Sequence, residues 1–97
     1  NDETAWCSAF ANWCVERAGF AGTDSAAAIS WGHWGKETST PKQGDLVVFN
    51  WGDGHGHVGF FVSATSTRVK VLGGNQSNAV TEKDWPANKV WRYRTPA

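Results

Sequence analysis

The sequence predicts an α+β fold in which N-terminal helices pack on one face of an antiparallel sheet of about five strands. Two observations predict it. Residues 5–18 carry apolar side chains at three- and four-residue spacing with no glycine or proline, the pattern of a helix with one buried stripe. From Pro41 onward, short runs rich in Val and Phe are separated by glycine-containing turn signals, the pattern of strands joined by tight connections.

In order, Asp2 or Thr4 can cap the first helix, and Glu3 suits its first turn. Its apolar stripe is Trp6, Cys7, Phe10, Ala11, Cys14, Val15 and Ala18, and Gly19 is a natural stop. A second helix is expected to start after Thr23 or Asp24 and run through "SAAAISW" to about Trp34, weakened by Gly32. The strands are "GDLVVFNW" (44–51), entered through a Pro-Lys-Gln-Gly turn, then "HVGFFVSA" (57–64) and "RVKVLGG" (68–74). Weaker candidates follow at 79–83 and 90–94.

Ninety-seven residues suggest a single domain, 1–97. Lys plus Arg balances Asp plus Glu at nine each, with no polybasic run, so the composition points to neither nucleic acid nor an anionic membrane surface. No apolar stretch approaches the roughly 20 residues of a membrane span, and the first residues do not form a signal peptide. Seven tryptophans serve a core or the rim of a cleft, since indole joins a large apolar area to one polar handle. With no conspicuous apolar surface stripe, a monomer is expected.

Cys7 carries the functional question. Seven helical residues place Cys14 roughly 10 Å away, beyond the roughly 7 Å that a disulfide tolerates. Paired-cysteine spacing for zinc is missing, so neither a metal nor another cofactor is expected. Cys14, in mid-helix, reads as a small core hydrophobe. Cys7 lies in the first turn or so, where unpaired N–H groups and the positive end of the helix dipole favour a thiolate, and where the same groups could hold an oxyanion.

A thiol nucleophile needs a base, and "GDGHGHVGFF" offers two histidines. His55 sits in the turn. His57 begins the strand, with Gly56 and Gly59 leaving room for a ligand beside it. A hairpin with a three-residue loop, Thr65-Ser66-Thr67, sets Ser63 opposite Val69, Phe61 opposite Val71, Gly59 opposite Gly73 and His57 opposite Asn75. The face bearing Phe61, Val69 and Val71 is then expected to cover the Cys7 helix, with His57 and Asn75 at its end. An imidazole to take the proton and an amide to fix the ring complete a thiol mechanism. A two-residue turn would instead bring Gln76 opposite His57.

"WCSAF" opening a helix, "PKQGDLVVF" leading into the sheet, "GHVGFF" and "VLGGNQSN" resemble the NlpC-type and CHAP branch of small papain-like cysteine peptidases and amidases, and in particular compact bacterial and phage cell-wall hydrolase domains. The resemblance runs from Trp6 to about Tyr93. It implies a papain-like core with Cys7 as nucleophile, His57 as base and Asn75 as third polar residue. Many NlpC-type members have histidine at that third position, so the asparagine leaves the branch and the bond cleaved open. The resemblance also implies peptide or amide bonds of peptidoglycan as substrate and action at the cell wall, periplasmic, extracellular or phage-delivered. Trp6 and Trp51 are expected to wall the cleft, while Trp31 and Trp34 are expected to pack. Were the domain a toxin, a cognate inhibitor plugging the Cys7 cleft would be its partner. Two other readings stand beside this one: a papain-like shell that binds wall peptide without cutting it, and a hydrolase of this fold acting on other acyl substrates.

Overall fold

The computed structural model describes residues 2–74 and 80–96, with side chains from residue 6 onward. Helix α1 spans Asp2–Arg17. It ends in a Schellman arrangement: Phe20 N–H donates to the Val15 carbonyl at 2.9 Å, Gly19 N–H donates to Glu16 at 3.0 Å, and Gly19 adopts φ 95°. The buried stripe is narrower than the apolar pattern. Cys7, Ala11 and Val15 are buried, Phe10 and Cys14 are half-buried, and Trp6 and Ala18 are exposed.

The second helix is not formed as expected; the chain makes a 3-10 segment over Ala28–His33. Side-chain bonds compete with helix formation here. The Ser30 hydroxyl donates back to the Ala27 carbonyl at 2.6 Å, Asp24 takes φ 59°, and Asn12 Nδ2 donates to the Ser25 carbonyl at 3.2 Å. Buried Ser8 ties the same segment to α1, donating to the Ser25 carbonyl at 2.7 Å and accepting from Trp31 Nε1 at 3.0 Å. Trp31 and Trp34 pack, as expected, with ring centroids 5.1 Å apart.

Among the described residues the sheet has six antiparallel strands: β1 (Lys36–Glu37), β2 (Leu46–Gly52), β3 (His55–Ala64), β4 (Arg68–Gly73), β5 (Thr81–Pro86) and β6 (Val90–Thr95), in the order β1-β6-β2-β3-β4-β5. The two-residue β1 has no sequence pattern of its own and adds a sixth strand to the five expected. The turn before β2 is held by Asp45, whose carboxylate accepts from the Lys42 backbone N–H at 2.9 Å and from Lys42 Nζ at 3.2 Å.

Alternation gives the sheet two apolar faces. Leu46, Val48 and Val58 pack with Cys7, Ala11, Val15, Ala28 and Trp31 on the helix side. Val47, Phe49, Val69 and Val71 form a second core with Phe61, Trp85, Val90 and Tyr93. Phe49 on β2 and Trp85 on β5 have ring centroids 5.0 Å apart although two strands intervene. A flat sheet would separate those strands by about 14 Å, so the sheet curls around this second core. The assignment of faces therefore corrects the expectation. The Phe61, Val69 and Val71 side lines the concave core, and α1 covers the Val58 and Phe60 side. Both faces of β3 are apolar, so alternation separates them without saying which one the helix takes.

The β3–β4 hairpin departs from the expected pairing at its turn end. Ala64 pairs with Val69 and Ser63 with Lys70, one residue off the expected partners, while Phe61 pairs with Val71 as expected and Phe60 with Leu72. The turn is tighter because the Thr65 hydroxyl accepts from the N–H groups of Thr67 and Arg68, and Thr65 N–H donates to the Arg68 carbonyl. An extra residue on β3 between Phe61 and Ser63 then restores the register. The short loop and the bulge cancel.

Candidate active site

Cys7 lies in the second turn of α1, since the helix already begins at Asp2. This corrects the expectation of a first-turn cysteine, because dipole and unpaired N–H effects fade beyond the first turn. The residue is buried, at 1% exposure. Burial pushes its thiol above the ordinary value, while the backbone N–H groups of Val58, Ser8 and Cys7 itself pull the other way and lose. Burial thus favours the thiol over the thiolate at this position. Its partner amide matters for geometry, because Val58 follows His57 directly on β3. Cys14, in the same helix, is half-buried; neither cysteine is in a disulfide, and burial raises the Cys14 thiol as well.

β3 begins at His55, two residues before the expected start. Asp53 and Gly54 take φ 56° and 79°, a left-handed pair that makes a two-residue turn and lets pairing start at Gly52 and His55. His55 is exposed. His57 is half-buried and pairs with Phe49, its ring 5.8 Å from that of Phe49 and 5.0 Å from that of Trp85.

The pairing of β2 with β3 shifts between Asn50 and Gly52, which leaves Trp51 as the extra residue of a bulge. Its ring stacks on Phe49 at 5.4 Å and lies 6.0 Å from Trp85, with 47% of the residue exposed. Trp6 is 45% exposed and borders a groove of about 240 Å³ with Ala9, Phe10 and Trp13 on the outer face of α1. Gly56 is not beside open space. A Cβ there would meet the Phe49 carbonyl oxygen and sit 3.0 Å from Ile29, so this glycine serves close strand packing, and Gly59 does the same against Val71. The expected room for a ligand at those two positions is filled.

Asn75 and Gln76, the two candidates for the third polar position, lie outside the described residues. Trp85 was not singled out from the sequence. Its strand is one of the weaker candidates, and only the curl of the sheet brings it to His57.

A CHAP domain model matches residues 1–75, a stretch that holds Cys7, His57 and the strands presenting them. The chain belongs to the CHAP family. Of the two branches that its motifs resemble, CHAP is the one matched, which makes this chain a member of a family of cell-wall hydrolases, generally amidases or peptidases. No curated protein and no solved structure matches it. Among the described residues, no helix of this CHAP chain is long and apolar enough to cross a membrane.

Proposed function

We propose that residues 1–97 form one papain-like hydrolase unit that cleaves a peptide or amide bond of peptidoglycan through Cys7 and His57. The observation that carries this reading is the Cys7 sulfur bonded to the Val58 amide, one residue along β3 from His57. His57 takes the thiol proton, and the sulfur attacks the scissile carbonyl. The N–H groups of Val58, Ser8 and Cys7 offset the charge gathering on sulfur as the proton leaves. The imidazolium then protonates the departing amine, and water, deprotonated by the same ring, releases the acyl group. Asn75 orients the ring: the Phe61 and Val71 pairing, continued along the hairpin, favours it over Gln76. Trp6 and Trp51 present exposed indole faces for the wall fragment on either side of the reacting bond.

Purified peptidoglycan incubated with the domain, followed by mass spectrometry of the soluble fraction, tests this reading. Fragments with new amino termini are expected, and Cys7→Ala should release none. New termini in the stem peptide indicate an endopeptidase, and termini at the lactyl junction an amidase. Equal release by Cys7→Ala would sink the thiol mechanism. Binding of peptidoglycan without release by the parent protein would favour the non-cutting shell.

A further inference from the structure

We propose that Trp85 is a positioning residue for His57: its indole and the ring of Phe49 form an aromatic clasp that holds the imidazole in the orientation it needs as a base. The inference rests on the assignment of His57 above. Trp85 and His57 have ring centroids 5.0 Å apart with 33° between planes, and Phe49 lies 5.8 Å from His57 at 37°. Phe49 and Trp85 also touch each other, at 5.0 Å. The three rings thus form a closed triangle, in which an imidazole has little freedom to change rotamer. The Lys83 ammonium lies 4.5 Å from the Trp85 centroid and Trp51 lies 6.0 Å away, so the indole is itself held.

A second observation concerns the choice of residue. Trp85 Nε1 is buried with no hydrogen-bond acceptor among the described residues, which disfavours indole over a plain aromatic at this place. The clasp also joins two parts of the chain. His57 and Phe49 lie within the CHAP match at residues 1–75, whereas Trp85 is on β5, beyond it. Strand β5 therefore supplies a part of the setting of His57 that the matched region alone does not contain.

The test uses soluble peptidoglycan fragments and the parent protein, Trp85→Leu, Trp85→Phe and His57→Ala. A ring set free to swing misplaces the base, so Trp85→Leu should lower kcat by about 10- to 100-fold with KM within about twofold. Trp85→Phe, keeping an aromatic face, should recover kcat to within about threefold of the parent. Unchanged kcat in Trp85→Leu, or a raised KM with kcat preserved, would overturn the inference, the latter making Trp85 a substrate wall. A second measurement needs no variant to fold well: proton NMR of the parent should show the His57 ring protons shifted upfield of those of the exposed His55 by the adjacent indole. Shifts equal to those of His55 would overturn the clasp. Failure of the underlying reading looks different, since His57→Ala would then retain kcat whatever Trp85 does, and the inference would fall with it.

Discussion

On the face that α1 covers, Leu46, Val48 and Val58 are fully buried aliphatic side chains packed against Cys7, Ala11 and Val15. On the concave face, Phe49, Trp51, His57 and Trp85 each place their ring within 6.0 Å of at least two of the others, and Trp51 stays about half exposed. The first face is an ordinary core, stabilised by area removed from water. The second mixes packing with an imidazole and an indole N–H that has no partner among the described residues, a combination that packing alone does not call for. The difference teaches where to look for chemistry. Cys7, the proposed nucleophile, packs on the aliphatic face, His57, the proposed base, stands on the aromatic one, and β3 carries Val58 on the first and His57 on the second.

The largest effect that could break this division comes from the pair at its centre. His57→Ala should lower hydrolysis by about 10³-fold or more, and Cys7→Ala combined with it should be no worse than Cys7→Ala alone, because nucleophile and base act as one unit. Additive losses in a steady-state assay would mean that the two residues do not share a step. Next in size is the third residue. Asn75→Ala should cost about 10- to 100-fold in kcat, since an orienter transfers no proton, while Gln76→Ala should stay within about twofold. The reverse order would show that the tight Thr65 turn, rather than the restored register at Phe61 and Val71, governs the far end of the hairpin.

That hairpin shows what was legible in the sequence and what was not. The α1 stripe, five of the six strands, the turn before β2 and the Phe61–Val71 pairing all follow from periodicity and turn chemistry. The Thr65 side chain's preference for a short loop and the compensating bulge leave no net mark on the pattern, because each cancels the other. The face that α1 covers was illegible for a related reason: Val58 and Phe60 on one side and Phe61 on the other give β3 the same apolar character on both. Cys7 and His57 stood out by residue type and position. Trp85 did not, since its contact with His57 exists only once strands far apart in the order curl together.

A smaller contrast sharpens the comparison of faces through stability. Leu46→Ala should destabilise the protein by about 2–5 kcal/mol in denaturant titration, leaving turnover per folded molecule unchanged. Trp51→Ala should change stability by about 1 kcal/mol or less, because half the residue is already in water, and should raise KM several-fold. If the two variants lost stability equally, the concave rim would be core after all.

An effect confined to the acid range lies away from both faces, at Asp45. Burial pushes its carboxyl up, but the Lys42 backbone N–H, the Thr95 hydroxyl and the Lys42 ammonium outweigh burial and hold it below its ordinary value of 3.8. A lowered folded-state pKa means that the contribution to stability is present above about pH 4 and disappears as pH falls through the folded value. Asp45→Asn should therefore cost about 1–2 kcal/mol at neutral pH and nothing at the acid end, read from denaturant titrations across pH. Parallel stability curves would remove the carboxylate from this account.

The most direct measurement sets the two thiols of α1 against each other. Cys14 is the more exposed, and burial raises both thiols, so access favours Cys14 in an alkylation that no base assists. If Cys7 is the nucleophile and His57 takes its proton, brief treatment of the native protein with iodoacetamide, followed by peptide mapping, should find Cys7 modified first. His57→Ala should abolish that preference without slowing Cys14. Modification of Cys14 ahead of Cys7 in the parent protein, or a preference for Cys7 untouched by His57→Ala, would contradict the Cys7–His57 assignment.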